Sequence, residues 1–108
     1  ALTTVGGCAF YGCTGLKSLN LPNITTVGTS AFTICTGLKS FIAPKLKTVE
    51  SCAFYACTGL TSFSAPNLET VGNLAFKYCY CLTDVTLKEG CSIEDDAFLN
   101  VPADIKYV

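Results

Sequence analysis

The chain has 108 residues, of which half are apolar and 14% charged, and seven basic residues against eight acidic ones give a net charge of −1. This length predicts one domain with ample material for a core. Histidine and arginine are absent and no basic run occurs, which argues against a nucleic-acid partner and removes the commonest general base. The apolar stretches are far shorter than the ~20 residues that cross a bilayer, so no membrane insertion is expected.

A step of 22 residues relates equivalent positions along the chain, as the dipeptide Ala-Phe shows at 9–10, 31–32, 53–54, 75–76 and 97–98. Other columns with this step are Val5, Val27, Val49, Val71 and Ile93; Cys13, Cys35, Cys57 and Cys79; and Leu16, Leu38, Leu60 and Leu82. Such a unit cannot bury an apolar face alone, so neighbouring units must stack around a shared interior. The sequence predicts one solenoid over 1–108, with coils at about 1–22, 23–44, 45–66, 67–88 and 89–108.

Short strands are predicted at 19–21, 41–43, 63–65 and 85–87, followed by a final edge strand at 105–108. Side chains alternate along a strand, so the first and third residues of each should face the interior. Proline follows the first three strands and ends them, because it cannot donate a hydrogen bond to the sheet. These strands predict one parallel sheet along one face of the solenoid.

The segment 30–35 is predicted to form a short helical turn on the opposite side. Four apolar residues are spaced to face one side of that turn, namely Ala31, Phe32, Cys35 and Leu38. Ser30 is expected to cap its start, and Gly37 is expected to let the chain leave it. Each coil would then contain one short strand and one short helical turn.

The pattern from Ile24 through Val27-Gly28, Ala31-Phe32, Cys35 and Leu38 to Phe41 resembles the BspA-like leucine-rich repeats, and the resemblance covers essentially the whole chain. It implies an α/β leucine-rich-repeat solenoid from a secreted or cell-surface protein of host-associated bacteria or protozoa. It also implies adhesion or protein binding, including binding to host matrix proteins. It implies neither an active site nor a cofactor.

The outward residues of the strand face are predicted to bind the ligand, since solenoids use this face as an extended surface. They are Ser18, Asn20, Ser40, Ile42, Ser62, Ser64, Asp84 and Thr86. Small, polar and almost uncharged side chains dominate this row, which suits contact with a protein or a carbohydrate. Tyr11 and Tyr55 share a column on the other side and are either aromatic anchors or ordinary surface residues.

The cysteine columns predict a ladder of buried thiols at Cys13, Cys35, Cys57 and Cys79. The other four, Cys8, Cys52, Cys81 and Cys91, leave a disulfide between Cys81 and Cys91, or between Cys8 and Cys13, as open alternatives to free thiols. A cysteine nucleophile needs a neighbouring base, and a zinc site needs paired ligands. The sequence offers no such base and only the close pair Cys79 and Cys81, so no catalytic or metal site is expected.

Asn23-Ile24-Thr25 is an N-glycosylation sequon in the turn after Pro22, so Asn23 is the expected glycan site if the chain is secreted from a eukaryote. The sequence starts without methionine or a signal peptide, which indicates a mature product, an excised segment or a design.

An alternative function is a structural subunit that stacks end to end into a fibre. Five coils of 22 residues would need only slightly more than the 108 residues present, so the last strand of one chain could continue into the first coil of the next. Uncapped solenoid ends expose unpaired backbone groups, and a contact of this kind propagates as a filament.

Overall fold

The computed structural model describes residues 2–108, which form two five-stranded parallel sheets and no helix within that range. The strands of the short-strand sheet are β1 Thr4–Val5, β3 Thr26–Val27, β5 Thr48–Val49, β7 Thr70–Val71 and β9 Ser92–Ile93. The strands of the long-strand sheet are β2 Ser18–Asn20, β4 Ser40–Ile42, β6 Ser62–Ala65, β8 Asp84–Leu87 and β10 Asp104–Tyr107.

Each strand pairs with the equivalent strand one coil away, at a step of 22 residues except at the last long strand, where Asp104 lies opposite Asp84 and the step is 20. Val27 lies opposite Val49 in the short-strand sheet, and Phe41 lies opposite Phe63 in the long-strand sheet. The sequence repeat therefore equals the structural repeat, and the chain is a solenoid of about five coils, as predicted. The final edge strand is also present, because β10 pairs with β8.

Alternation along the long strands directs apolar side chains into the interior. Phe41, Ala43, Phe63 and Ala65 are buried, whereas Ile42 between the first two is exposed. This is the inward and outward pattern expected for strands with a two-residue period. The strands begin one residue earlier than the sequence predicted, at the serine or aspartate before the inward residue.

Stacked phenylalanine rings form the centre of the core. The rings of Phe10, Phe32, Phe54, Phe76 and Phe98 lie nearly parallel, with successive centroids 5.2, 5.2, 5.1 and 4.9 Å apart. Phe41 and Phe63 from the long strands meet this stack edge-on, with centroids of Phe41 and Phe54 4.9 Å apart. Stacked and edge-on arrangements are both favourable for aromatic rings, so each ring contributes to the packing of two or more coils.

The prediction of a single sheet is incomplete, because it missed the short-strand sheet. Its strands have only two residues, a hydroxyl residue followed by an inward apolar residue such as Val27 or Val49. Two residues are too few to show an alternating pattern in the sequence. Pairing with the neighbouring coils, not local propensity, makes these segments strands.

The prediction of a helical turn at 30–35 is wrong. Ser30 and Ile34 have left-handed backbones, with φ of 57° and 63°, whereas an α-helix requires negative φ throughout. Alternate amides donate to the next coil, as from Phe32 to the Ala53 carbonyl at 2.8 Å, while the amides between them close tight turns within the coil. The segment is therefore a pair of consecutive turns that are hydrogen-bonded to their neighbours.

The predicted roles of Ser30 and Gly37 change with this correction. Ser30 is itself a left-handed turn residue and caps no helix. A Cβ atom at Gly37 would collide with the carbonyl oxygen of Thr14 and lie 3.0 Å from that of Leu16. Glycine is required there because two coils approach closely, not because a helix ends.

Residues with a left-handed backbone and a side chain are positions where substitution by glycine can stabilise the fold. Ala56 has φ of 58°, and this conformation costs an alanine roughly 1–2 kcal/mol that glycine largely avoids. We expect Ala56→Gly to raise the free energy of unfolding by roughly 1 kcal/mol after the greater flexibility of unfolded glycine is subtracted. Thermal unfolding followed by circular dichroism should show a melting temperature about 4–8 °C higher.

Ala53→Gly is the matched control for Ala56→Gly. Ala53 lies in the same coil and is completely buried, and it is not among the residues with positive φ. Removing its methyl group should lower the free energy of unfolding by about 1 kcal/mol. Equal destabilisation by both substitutions would contradict the explanation based on backbone conformation.

Candidate interaction surfaces

The structure places all eight residues that the sequence predicted as ligand-binding on the outward side of the long-strand sheet. The register aligns them in two columns, one of Ser18, Ser40, Ser62 and Asp84 and one of Asn20, Ile42, Ser64 and Thr86. Parallel strands lie about 4.8 Å apart, so neighbouring side chains of a column can contact one partner together. The two columns form one continuous surface, called the sheet face.

Hydroxyl and amide groups surround a single apolar side chain on the sheet face. Ile42 is 44% exposed at the end of β4, with Asn20 and Ser64 beside it in the same column. Within residues 2–108, the only charged residue of the sheet face is Asp84, and further charged residues lie in the neighbouring strand β10. An apolar centre with a polar surround is typical of contact sites in protein interfaces.

A tyrosine cluster occupies the turn side of the solenoid. The ring of Tyr78 contacts Tyr55 edge-on, with centroids 5.5 Å apart, and lies 5.8 Å from Tyr80. The ammonium group of Lys77 lies 4.9 Å from the centre of the Tyr78 ring, within the range of a cation–π interaction. Tyr80 remains 56% exposed, so the cluster is accessible to a partner.

The sequence reasoning named Tyr11 and Tyr55 but missed Tyr78 and Tyr80. Tyr11 lies two coils from Tyr55, and the buried Thr33 stands between them in the same column. Tyr78 and Tyr80 belong to other columns of the next coil, so a search within columns does not find them. A comparison of tyrosines in adjacent columns of adjacent coils would have predicted the cluster.

Asn23, the predicted glycan site, lies exposed in the turn after Pro22. Lys45 donates a hydrogen bond from its ammonium group to the Asn23 side-chain oxygen at 3.4 Å. Glycosylation at this residue remains a prediction.

The inward cysteine column forms a ladder of hydrogen-bonded thiols. The thiols of Cys35, Cys57 and Cys79 donate to the carbonyl oxygens of Phe10, Phe32 and Phe54, with Sγ to O distances of 3.0, 3.0 and 3.1 Å. These three side chains are completely buried, whereas Cys13, which was predicted to belong to the buried ladder, is only partly buried. Each thiol therefore links its coil to the preceding one through a polar contact inside the core.

Burial raises the pKa of the Cys57 and Cys79 thiols well above the ordinary value of 9.0, and that of Cys79 reaches about 12. A thiol with so high a pKa forms almost no thiolate near neutral pH, and only the thiolate is a good nucleophile.

The remaining cysteines, including Cys8, Cys52, Cys81 and Cys91, are free thiols in this structure. Within residues 2–108, no group of three or more cysteine, aspartate, glutamate or histidine side chains is arranged to hold a metal ion.

The family model of the BspA type leucine-rich repeat region matches residues 1–106 in six copies. The chain belongs to the BspA type leucine-rich repeat family. Over the residues that the structure describes, no helix is long and apolar enough to span a membrane. No curated protein matches the chain.

Two crystal structures of leucine-rich-repeat proteins are similar to the chain. The T. pallidum leucine-rich repeat protein is 30% identical with a TM-score of 0.79, over 85% of this chain and 44% of that one. A leucine-rich cell surface protein from Faecalibacterium prausnitzii A2-165 is 26% identical with a TM-score of 0.59, over 93% of this chain and 35% of that one. The chain thus spans less than half the length of either structure.

The buried thiols predict a loss of stability in alkaline solution. Unfolded thiols ionise near pH 9, whereas Cys57 and Cys79 stay protonated when folded, so the stabilisation is complete below pH 9 and falls as the pH rises toward 12. Each such thiol lowers the free energy of unfolding by up to about 1.4 kcal/mol per pH unit in that interval. Urea unfolding at about pH 8 and about pH 10.5 measures the difference.

Cys79→Ala should reduce this pH dependence, because one protonated thiol is removed. Cys81→Ala should leave it unchanged, since Cys81 is exposed. The same pH dependence in both variants would show that the buried thiol is not responsible.

Proposed function

We propose that the chain is a non-enzymatic protein-interaction module of a cell-surface or secreted protein, and that the sheet face contacts the partner. Family membership supports a binding role, and one of the similar structures is named as a cell surface protein. The observation that carries the proposal is the nearly uncharged sheet face, centred on the half-exposed Ile42. An adhesive role toward extracellular-matrix proteins is the form of binding that fits a surface location.

The chemistry of the sheet face favours a protein partner over a carbohydrate. Its two outward columns contain serine, asparagine, threonine, Asp84 and Ile42 but no aromatic ring within residues 2–108. Sugar-binding surfaces stack sugar rings on aromatic side chains, whereas an exposed isoleucine ringed by small polar groups matches the dry centre of a protein interface. The tyrosine cluster lies on another side of the solenoid and is available as a further contact.

Ile42→Asp tests the sheet face. Placing a carboxylate at the centre of a desolvated contact should weaken binding at least roughly tenfold, because the charge must lose its water. Surface plasmon resonance against immobilised extracellular-matrix proteins measures the affinity, and circular dichroism confirms that the variant is folded.

Ile34→Asp is the matched control for Ile42→Asp, because Ile34 is an isoleucine with similar exposure, 40%, on the turn side of the solenoid. Its affinity should equal that of the unaltered chain. If both substitutions reduce binding equally, or if Ile42→Asp has no effect, the sheet face is not the contact surface.

A second candidate function, end-to-end assembly into a fibre, is supported by the distribution of charge. Four lysines and no acidic residue precede Glu50, whereas all eight acidic residues and three lysines lie from Glu50 onward. The first three coils are therefore each net basic, the fourth is neutral and the fifth is strongly acidic, which makes the two ends complementary for head-to-tail contact. Phe10 and Phe98, at opposite ends of the ring stack, are only partly buried.

Light scattering over a range of concentrations tests the fibre. In low salt the mass should grow with concentration and should fall when salt screens the opposite charges of the ends. Lys17→Glu should reduce the growth, whereas Lys106→Glu, which adds negative charge to the acidic end, should preserve it. A mass that stays at one chain throughout would contradict assembly.

A further inference from the structure

A groove of about 330 Å³ runs along the outer side of the short-strand sheet, away from the sheet face. Thr48, Thr70 and Ser92 line one side, and Thr29 and Ser51 line the other. The first three belong to one column, because the register places each opposite the next. Within residues 2–108, none of the side-chain hydrogen bonds uses these five hydroxyls, so they are available to a ligand.

Two carboxylates stand in the groove with a glycine between them. The amide of Gly72 donates to the Val49 carbonyl, and that of Glu94 donates to the Val71 carbonyl, so Glu50, Gly72 and Glu94 follow one another in a column across three coils. A Cβ atom at Gly72 would lie 2.7 Å from the Ser51 backbone nitrogen. A side chain at this position would clash with the backbone of the neighbouring coil, so only glycine can separate the two glutamates in this column.

The groove carries negative charge that the described part of the chain does not neutralise. Glu50 and Glu94 are the only charged residues in its lining. Across residues 2–108 the one ion pair joins Lys47 to Glu69, at 3.4 Å, and involves neither groove carboxylate. Hydroxyl groups beside two unpaired carboxylates are complementary to a ligand with ammonium or guanidinium groups.

The spacing of the carboxylates restricts the shape of this ligand. Glu50 and Glu94 are two coils apart, which places their backbones about 9.6 Å from each other. A polyproline II segment has three residues per turn and advances about 9.3 Å in that turn. Basic side chains three residues apart therefore point in the same direction with nearly the required separation.

We infer that the groove binds an extended basic segment of a partner protein, in which two lysine or arginine side chains three residues apart pair with Glu50 and Glu94. The hydroxyls of Thr48, Thr70 and Ser92 bind the backbone of the segment between the two basic residues. This site is on a different sheet from the sheet face and does not depend on the proposed function. The partner is a protein chain because hydroxyls in a row suit the regularly spaced polar groups of a backbone.

The test titrates the folded chain with a synthetic acetyl-Lys-Pro-Pro-Lys-amide peptide, followed by amide chemical shifts in nuclear magnetic resonance spectra. Shifts are expected at Thr70, Gly72 and Ser92. Glu50→Gln and Glu94→Gln should each weaken binding roughly two- to fivefold, since exposed ion pairs contribute modestly. The double variant should lose roughly tenfold or more, and about 0.5 M salt should weaken binding in the unaltered chain.

Glu69→Gln is the matched control, because Glu69 is an exposed glutamate that does not line the groove. It should bind the peptide like the unaltered chain. A peptide with adjacent lysines, Pro-Lys-Lys-Pro, should bind more weakly than the peptide with spaced lysines. Equal losses in all three glutamate variants, or no preference for spaced lysines, would show only general charge attraction and would overturn the inference.

Binding at the sheet face is measured separately with Ile42→Asp, and that residue lies outside the groove. A failed peptide titration therefore leaves the proposed function standing, and the converse also holds.

Discussion

In-register pairing of each coil with its neighbouring coils is the constraint on which the rest of the structure depends. A single coil has too few inward side chains to exclude water, so its apolar residues become buried only when a neighbour covers them. Phe54 illustrates this, because its ring contacts Phe32 and Phe76 in the adjacent coils and Phe41 and Phe63 across the core. A slip of the long strands by one residue would turn the rings of Phe41 and Phe63 outward.

The same pairing organises the turn side of the solenoid. Left-handed residues such as Ile34 and Tyr78 carry side chains that this conformation disfavours. Their amides donate to the carbonyls of Tyr55 and Leu99 in the next coil, and these hydrogen bonds offset the backbone strain. The buried thiol of Cys57 adds a contact to the preceding coil at the Phe32 carbonyl. Contacts between coils therefore stabilise turns that would be unfavourable in isolation.

Constant register also determines what the solenoid presents to solvent. Outward residues that are 22 positions apart form columns, so substitutions in single coils change the chemistry of a whole side. Ile42 places an apolar group within a polar column, and Glu50 and Glu94 give the groove on another side its negative charge. The two sides of the solenoid therefore differ in chemistry, one mostly uncharged and the other acidic.

The sequence by itself determined the repeat, the inward residues of the long strands and the placement of the sheet face, because each follows from a 22-residue period combined with the two-residue period of a strand. Only the tertiary structure decided the second sheet, the left-handed turns, the contact of Tyr55 with Tyr78 and the close approach of the backbones at Gly72. The physical reason is common to all four. Each depends on hydrogen bonds and distances between different coils, and residues within one coil carry no local pattern that encodes them.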